Sequence, residues 1–347
     1  MSRIYVGMSG GVDSSLTAAL LVEQGHDVTG VYMKNWTQDL PGMQCPWAED
    51  LADAKRVAVQ LGIPFKVYDF QTQYKQKVVD YMIEVYSAGR TPNPDIMCNE
   101  QVKFKLFLET ALADNAEMIA TGHYASTREG KLYKAVDANK DQTYFLYRVT
   151  SEALDKTLFP LGGYEKTEVR KMAEERGLLT ATRKESMGIC FVGSVGIREF
   201  LSEFVETSPG NIIDHESGEV VGAHDGAIFY TLGQRHGLNL GGGLPYYVVG
   251  KDMAKNEVYV SRNLNDISMW RTELQLTDIH WINDAPHEND KLTVRLRHRG
   301  KLVPVSALRN DFQGWTLEII EPERAVASGQ SAVIYQGEEV LGGGIVA

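Results

Sequence analysis

The sequence predicts an α/β domain with a parallel sheet in its first half and a mostly β second half. From residue 3 to about residue 122, apolar strand candidates alternate with amphipathic helix candidates, which is the pattern of a parallel sheet wrapped by helices. The strand candidates span residues 4–8, 28–33, 65–70 and 117–121. Beyond the triplet Ser208-Pro209-Gly210, the segments become short, alternate in polarity and are broken by glycine turns. This triplet is therefore the predicted domain boundary.

Helix candidates lie between and after these strands. Residues 12–24 form the first, which ends at Gly25, and apolar residues spaced three and four apart mark a second over residues 51–61, which ends at Gly62. Further helices are predicted over residues 102–112, 166–176 and 198–206, and later strands over residues 227–232, 246–249, 257–260 and 292–296. The turn after the first strand then lies at the carboxyl end of the sheet, where open α/β sheets bind ligands.

Composition places the chain among globular proteins of more than one domain. With 347 residues and 43% hydrophobic content it can bury a large core, and two or three domains are expected. No apolar run approaches the roughly 20 residues that span a bilayer. The N-terminus enters a strand without a charged leader and a cleavage site. We therefore expect no membrane partner and a cytoplasmic protein, or an organelle protein numbered without its leader.

The net charge of −11 argues against a nucleic-acid partner, because phosphate binding draws on lysine and arginine. A local exception is the segment 291–301, which carries five basic residues, one histidine and no acid. Alternation along a strand places Arg295, Arg297 and Arg299 on one face, which would be locally basic. An edge strand protected by solvated charges fits the pattern equally well.

The glycine-rich turn at residues 7–15 is suited to hold a phosphate chain. Gly10 and Gly11 let the backbone approach an anion, serine hydroxyls add donors, and the following helix points its first N–H groups at the same place. Asp13, an acid inside an anion site, indicates that a divalent cation binds there too. No Gly-Lys-Ser or Gly-Lys-Thr triplet follows, so this is not a Walker loop. It resembles the pyrophosphate loop of the ATP pyrophosphatase superfamily; the alternative is a serine-rich N-cap after an ordinary strand.

The chain has three cysteines, too few for a disulfide scaffold at this length, so each is expected to be reduced at rest. Two prolines in residues 91–99 oppose regular structure, and this segment ends where the 102–112 helix begins, so Cys98 is predicted at or near a helix N-terminus. The helix dipole there would lower the pKa of Cys98, and Asp95 could act as an acid or base on the same substrate. Taken alone, a single loop cysteine is more often a small buried residue.

The other two cysteines have plainer interpretations from the residues alone. Cys190 lies between apolar residues and glycines and is typical of a core cysteine. Cys45 has no acid–base partner at motif spacing and is taken as structural or incidental. Neither Cys-x-x-Cys nor His-x-x-x-His spacing occurs, which disfavours zinc, and no protein metal site is predicted.

Four motifs occur together and in one order: Ser-Gly-Gly-Val-Asp-Ser-Ser at residues 9–15, Asn-Pro-Asp-Ile-Met-Cys at 93–98, Ala-Thr-Gly-His-Tyr-Ala at 120–125 and Gly-Ile-Cys-Phe at 188–191. Together they resemble the motifs of the tRNA-specific 2-thiouridylases, bacterial enzymes that use ATP to thiolate the wobble uridine of certain tRNAs. The resemblance extends to Gly343-Gly344 and so covers essentially the whole chain. It implies an ATP pyrophosphatase catalytic domain of the adenine-nucleotide-hydrolase type over residues 1–207, a small mostly β central domain over 208–271 and a C-terminal, tRNA-contacting β-barrel over 272–347.

The resemblance also implies a set of site residues. ATP would be held by Gly7, Met8, Ser9, Gly10, Gly11, Val12, Asp13 and Ser14, with Met33 near the adenine and Gly122 near the nucleotide. The target base would contact Asn93, Pro94 and Asp95, and the tRNA would also contact Lys140, Asp141, Gln142, Arg297, His298 and Gln330. The family usually carries Tyr in place of His298 and Pro in place of Ser328, so this chain departs from the family pattern at two positions near the implied tRNA contacts.

The implied chemistry transfers AMP from ATP, with Mg²⁺ near Asp13, to the oxygen on carbon 2 of the uracil, which turns that oxygen into a leaving group. A persulfide on Cys190, received from a protein sulfur carrier, supplies the sulfur. Either its terminal sulfur attacks carbon 2 and Cys98 resolves the adduct, or Cys98 first releases sulfide; both routes end in a Cys98–Cys190 disulfide. Asp95 would serve as general acid or base.

Two other functions share parts of this pattern. A synthetase that uses ammonia or an amine as its nucleophile would keep the ATP loop but would need no cysteine pair, so Cys98 together with Cys190 distinguishes the two. A tRNA-binding or sulfur-carrier partner without catalysis would not need Asp13, Asp95 and both cysteines.

Overall fold

The computed structural model describes residues 1–39, 45–183, 196–241, 243–263, 269–287, 289–311 and 314–347. In chain order the strands are β1 Arg3–Gly7, β2 Asp27–Lys34, β3 Phe65–Asp69, β4 Met118–Ala120, β5 Ser126–Arg128, β6 Lys131–Tyr133, β7 Thr157–Leu158, β8 Gly210–Asp214, β9 Val220–His224, β10 Tyr247–Asp252, β11 Glu257–Ser261, β12 Trp270–Trp281, β13 Thr293–Arg295, β14 Val303–Asp311, β15 Gly314–Arg324, β16 Ser331–Gln336 and β17 Glu339–Val346. The α-helices are α1 Val12–Glu23, α2 Trp47–Leu61, α3 Gln71–Tyr74, α4 Asp80–Ser87, α5 Pro94–Met97, α6 Phe107–Ala113, α7 Ser151–Asp155, α8 Lys166–Glu175 and α9 Ile197–Ser202. Lys75–Val79 and Cys98–Leu106 are π-helical, and Thr143–Phe145 and Ala227–Phe229 are 3₁₀ turns. None of the helices in these ranges is long and apolar enough to cross a bilayer.

The N-terminal sheet is parallel throughout, in the order β3-β2-β1-β4-β7, which confirms the predicted architecture. Ile4 and Val6 of β1 are completely buried, as expected for a parallel strand covered by helices. The chain adds β2 and β3 on one side of β1, and β4 and β7 on the other. The strand order therefore reverses between β1 and β4, and the loops after these two strands meet where such sheets bind ligands.

Most predicted helices are present, with shifted ends. The 12–24 and 166–176 predictions correspond to α1 and α8, the 198–206 prediction to the shorter α9, and α2 ends at Gly62 in a left-handed conformation with φ of 67°. The predicted strand at 227–232 is wrong, because Ala227–Phe229 is a 3₁₀ turn. Its apolar residues are all buried rather than alternating, and a short buried run cannot be assigned from periodicity alone.

The second half of the chain is β-rich, as predicted. A small sheet has the order β10-β11-β8-β9. The strands β12-β15-β14-β13-β16-β17 follow in hydrogen-bonded order, and an additional β12–β17 pairing closes them into a barrel. Leu276, Val294, Leu317 and Ile334 belong to the apolar core of this barrel. The fold class of a parallel α/β domain, a small β-rich domain and a C-terminal barrel is thereby confirmed.

A hairpin from the first half of the chain joins the barrel sheet. The strands β5 and β6 pair with each other, and β6 pairs with β17 through Leu132 opposite Val340 and Tyr133 opposite Glu339. The barrel therefore continues into residues that precede position 207. The domain limits 207/208 and 271/272 stay predictions.

The predicted basic face of residues 291–301 is wrong. The strand β13 ends at Arg295, so the alternation stops there. Arg295 is buried, whereas Arg297 and Arg299 lie exposed in the turn that follows, where Arg299 adopts a left-handed φ of 59°. A turn instead of a continued strand separates the three guanidinium groups.

Candidate active site

The loop between β1 and α1 has a backbone that only glycine can supply. Gly10 has a φ of +77°, and a Cβ placed on it would lie 2.5 Å from the Asp50 carbonyl oxygen. The hydroxyls of Ser14 and Ser15 donate to the Gly11 carbonyl at 3.1 and 2.8 Å, which fixes the turn. Gly11 is the N-cap of α1 and provides no side-chain cap, so the first N–H groups of this helix face the loop.

The loop after β4 closes the other side of this site. A Cβ on Gly122 would lie 2.8 Å from the backbone carbon of Asp13 and 2.8 Å from the Ser14 nitrogen, so the two loops touch through backbone atoms. On the β2 side, a Cβ on Gly7 would lie 3.1 Å from the Met33 methyl carbon. The structure thus brings together the residues predicted to hold ATP, namely Gly7, Met8, Ser9, Gly10, Gly11, Val12, Asp13, Ser14, Met33 and Gly122.

Asp13 is bound by two groups that the sequence did not reveal. Both of its carboxylate oxygens accept from the Lys166 ammonium, at 2.6 and 2.8 Å, and Oδ1 also accepts from the Tyr124 hydroxyl at 3.0 Å. Lys166 is the first residue of α8, where a positive charge opposes the helix dipole. In the sequence, a lysine at this unfavourable position was the one indication that its charge is paired with a distant residue. Within the described residues, no group of three metal-ligating side chains occurs.

Arg183 holds the loop from outside, again without a sequence signal. Its guanidinium donates to the Gly10 carbonyl at 3.0 Å and to Asp50 at 2.6 Å, and it also pairs with Asp53. The next described residue after Arg183 is Gly196. Cys190 therefore lies outside the described residues, and its predicted role stays a prediction.

Cys98 does not lie at a helix N-terminus, and the sequence prediction is wrong here. The helix begins at Pro94, with the Asn93 side chain accepting from the Asp95 and Ile96 N–H groups at 3.1 and 3.4 Å. Proline is favoured at the first helical position, because its missing N–H is not needed there. Cys98 follows the first turn, is buried and starts the π-helical segment Cys98–Leu106. The dipole effect fades within the first turn, so it acts on Cys98 only weakly.

Asp95 and His123 lie on either side of Lys103. Burial raises the pKa of Asp95, and the charge of Lys103 partly offsets this rise. The Lys103 ammonium is 3.4 Å from Nε2 of His123, whose Nδ1 is 2.8 Å from the Thr121 hydroxyl. Burial lowers the pKa of His123 well below its usual value, so the ring is neutral at pH 7. Lys103 and His123 thus connect the helix of Asp95 and Cys98 to the loop of Gly122.

Of the three residues predicted in the first tRNA-contacting segment, two are tied to the protein interior. Asp141 is 2% exposed, and its Oδ2 lies 2.7 Å from the Arg295 guanidinium on the barrel. Gln142 accepts from the Tyr124 N–H at 2.9 Å through its side-chain oxygen. Lys140 is half-buried.

The barrel residues predicted to contact tRNA lie close to the first domain. His298 packs on Phe145 with ring centroids 4.4 Å apart, and the exposed Arg297 donates to the Arg324 carbonyl at 2.6 Å. The Thr91 N–H donates to the carbonyl of Ser328 at 2.9 Å, and Gln330 is two residues after Ser328. The structure therefore places Gln330 near the loop that leads to Asn93 and Pro94.

Three family models match the chain in succession. They are the tRNA methyl transferase HUP domain over residues 2–194, the tRNA methyl transferase PRC-barrel domain over residues 198–262 and the aminomethyltransferase beta-barrel domain over residues 271–346. A crystal structure of a 4-thiouridine synthetase–RNA complex with bound ATP covers 58% of this chain and 50% of that chain, at 16% identity and a TM-score of 0.36.

Curated relatives match over the whole length. The tRNA-specific 2-thiouridylase MnmA of Enterococcus faecalis is 44% identical over 356 residues, which cover 99% of this chain and 95% of that protein. The tRNA-specific 2-thiouridylase MnmA 2 of Geobacillus kaustophilus is 46% identical over 351 residues, which cover 99% of this chain and 94% of that protein. With this identity along a chain whose sequence carries the four motifs in order, the protein belongs to the tRNA-specific 2-thiouridylase family.

Proposed function

We propose that this protein catalyses the ATP-dependent 2-thiolation of the wobble uridine of tRNA. One structural observation supports the proposal most directly. The glycine-rich anion loop lies at the switch point of the sheet, and Lys103 and His123 link this place to the helix of Asp95 and Cys98. The relatives that match over the full length are named for this reaction. An ammonia or amine nucleophile is not favoured, because it leaves the two motif cysteines without a role.

In the first step, the phosphates of ATP would lie in the loop of residues 7–14, against the N-terminus of α1. Lys166 and Asp13 flank this place, and the Lys166 ammonium supplies positive charge for the phosphates. The uracil oxygen on carbon 2 attacks the α-phosphorus, pyrophosphate leaves, and AMP stays on the oxygen. The carbon 2–oxygen bond can then break with AMP as the leaving group.

A Mg²⁺ ion is expected to arrive with ATP and to neutralise phosphate charge. The loop offers a single carboxylate, Asp13, which suits a hard cation that keeps water and phosphate oxygens as its other ligands. Asp13 would hold the ion. Its two oxygens bind Lys166 here, at 2.6 and 2.8 Å, so an ammonium already occupies the charge-neutralising role.

In the second step, sulfur replaces the adenylated oxygen. A protein sulfur donor would load Cys190 as a persulfide. Either the terminal sulfur attacks carbon 2 and expels AMP, after which the Cys98 thiolate attacks Sγ of Cys190 and frees the thiolated base, or Cys98 attacks first and releases sulfide. In both routes two thiols become one Cys98–Cys190 disulfide, which a cellular reductant must reopen. Asp95 would act as the general acid or base in the sulfur-transfer step. The reaction would take place in the cytoplasm.

The remaining predicted contacts complete the proposal. Asn93 and Pro94 would border the flipped-out base, and Lys140, Gln142, Arg297, His298 and Gln330 would contact the rest of the tRNA. Asp141, which is buried against Arg295, would act by holding this segment and not by touching RNA.

The direct test incubates the purified protein with an anticodon-containing tRNA, Mg-ATP and a persulfide as the sulfur source, followed by nucleoside mass spectrometry and a pyrophosphate assay. We expect 2-thiouridine and pyrophosphate in matching amounts, and neither without ATP. Pyrophosphate without 2-thiouridine would point to a different nucleophile. The absence of both products would favour a binding protein without catalysis.

Replacing Lys166 by methionine should lower ATP-dependent pyrophosphate release by about 10²-fold, the usual effect of removing one electrostatic group from a charged transition state. The variant would leave the Asp13 carboxylate unneutralised beside the phosphates. Lys171→Met is the matched control, because Lys171 lies on the same helix but is 77% exposed. Equal rates for Lys166→Met and the wild-type protein would show that the Lys166 charge does not assist adenylation.

Replacing Asp95 by asparagine should abolish most thiolation without loss of stability. Because burial raises the folded-state pKa of Asp95 above its unfolded value, the folded protein binds this proton more tightly, and stability falls as pH rises through that interval. At pH 7, above the unfolded pKa, the carboxyl group opposes folding, so Asp95→Asn should melt at the same or a higher temperature, and this gain should vanish near pH 3. Loss of a general acid or base lowers rates by about 10²–10⁴-fold.

The control for Asp95→Asn is Glu109→Gln, an exposed carboxylate farther along the same helical run. Thermal melts at pH 3 to 7 and single-turnover thiolation measure the two effects. A variant that thiolates at the wild-type rate would remove Asp95 from the chemistry, and a lower melting temperature at pH 7 would contradict the burial argument.

A further inference from the structure

A small cavity lies where the three parts of the fold meet. Its volume is about 130 Å³, and its lining includes Gly89 and Thr91 before the Asn93 turn, Leu232 and Lys251 from the central region, and Ser328 from the barrel. At about 30 Å³ per water molecule, this space equals roughly four waters, enough for a phosphate group. Thr91 and Ser328 carry hydroxyls that can donate to an anion.

Lys251 brings a charge to this cavity without a counter-charge. Its ammonium donates to the Tyr230 carbonyl at 2.8 Å, and within the described part of the chain it forms no ion pair with a carboxylate. The neighbouring Asp252 instead accepts from the Ala254 and Lys255 N–H groups, both at 3.0 Å. Burial lowers the pKa of Lys251 to about 8, so the side chain is still mostly protonated at pH 7.

Lys251 is half-buried, and the Tyr230 carbonyl replaces only part of the hydration that its ammonium has lost, so a nearby anion would stabilise it. A second basic residue, Arg90, stands between the lining residues Gly89 and Thr91 in the sequence, is exposed and forms no ion pair with any described carboxylate. In a chain with a net charge of −11, a cavity-lining lysine without an acidic partner among the described residues indicates that an external anion supplies the missing charge.

The junction is tied directly to the loop that leads to the target base. Thr91 donates its N–H to the Ser328 carbonyl at 2.9 Å, and its hydroxyl is 3.3 Å from that of Thr231. A Cβ on Gly89 would lie 2.6 Å from Met253, so the segment before Asn93 packs closely on the central region. An anion in the cavity would therefore lie within a few residues of Asn93.

We propose that Lys251, together with Thr91 and Ser328, binds a phosphate group of the tRNA backbone beside the flipped-out base. This inference rests on the proposed function, since it takes tRNA as the substrate. Free phosphate shares the same chemistry, and the experiment separates the two sources.

The test compares Lys251→Met and Lys251→Arg with the wild-type full chain. Equilibrium tRNA binding is measured between 50 and 200 mM NaCl, and melting temperatures are measured with and without inorganic phosphate. Lys255→Met is the matched control, because Lys255 lies in the same hairpin but is 65% exposed and pairs with Asp252. Thiolation by the wild-type protein is assayed with the same tRNA.

For Lys251→Met, we expect affinity for tRNA to fall about tenfold and the slope of log affinity against log salt to become shallower by about one. Lys251→Arg should keep most of the affinity, and Lys255→Met all of it. Lys251→Met should fold, because methionine fills a similar space without a buried charge. Should it not, Lys251→Gln takes its place with the same expectation.

An unchanged affinity and salt slope in Lys251→Met would overturn the assignment and leave Lys251 as a packing residue. The RNA assignment would also fall if inorganic phosphate raised the melting temperature of the wild type but not of Lys251→Met, while tRNA binding stayed equal. The ligand would then be a free anion. Failure of the proposed function is a separate result, in which the wild type makes no 2-thiouridine whatever residue occupies position 251.

Discussion

Cys98→Ser and Cys190→Ser are each expected to lower the rate of 2-thiouridine formation by at least about 10³-fold. The affinity for tRNA should stay within about twofold of the wild-type value. The reason is chemical, because a hydroxyl can neither carry a persulfide nor attack one. Both sulfur-transfer routes end by oxidising two thiols, so neither cysteine can substitute for the other. Nucleoside mass spectrometry after a single turnover measures the product, and filter binding measures the affinity.

Cys45→Ser is the matched control for these variants. Cys45 is half-buried, its N–H donates to Asp39 at 2.8 Å, and its thiol donates to the Trp36 carbonyl at 3.7 Å, so it has a local structural role. This variant should retain thiolation. Pyrophosphate release should survive in Cys98→Ser and Cys190→Ser, because adenylation precedes sulfur transfer. A Cys190→Ser protein with full activity would rule out the persulfide scheme.

The second large effect is on stability. Asp141→Ala should lower the free energy of unfolding by about 3–5 kcal/mol, as expected when a buried ion pair loses one partner. Arg295 would keep its charge in the interior, and its Nε already lacks a hydrogen-bond partner among the described residues. The Thr143 hydroxyl, which donates to Asp141 at 2.8 Å, would lose its acceptor as well. Thermal and urea unfolding of the full chain measure the change.

The exposed pair of Lys301 and Glu321 provides the comparison. Glu321→Gln on the barrel surface should change stability by no more than about 0.5 kcal/mol, because exposed ion pairs contribute little. Joint replacement of Asp141 by leucine and Arg295 by methionine should recover much of the loss, since no buried charge remains. If Asp141→Ala keeps its stability but loses tRNA affinity, the carboxylate reaches the RNA directly.

The sequence was sufficient wherever a local requirement was strong. Gly10 adopts a left-handed φ, and the Ser-Gly-Gly motif predicted a turn of this kind, although its close approach to Asp50 became visible only in the structure. The parallel sheet followed from apolar strands alternating with helices. The same local reasoning failed at Pro94, where two prolines suggested an irregular loop although Asn93 and Pro94 together form a good helix start.

Contacts between distant segments could not be predicted. Lys166 and Asp13 are 153 positions apart, and Arg183 reaches Gly10 over 173 positions. A single sequence contains no signal for such pairs beyond an unusual residue in an unusual place, as with a lysine in the first turn of a helix. The burial of Asp141 was equally invisible, because its partner Arg295 belongs to the barrel.

The β5–β6 hairpin has a consequence for how the molecule can be divided. Because β6 pairs with β17, a fragment cut at residue 207 would carry two strands whose outer edge has lost its neighbour. Unpaired edges of this kind recruit other chains and promote aggregation. The isolated barrel would expose the edge of β17 that pairs with β6 in the full chain. A separately expressed N-terminal domain must therefore either lack the β5–β6 hairpin or carry an added strand that pairs with β6.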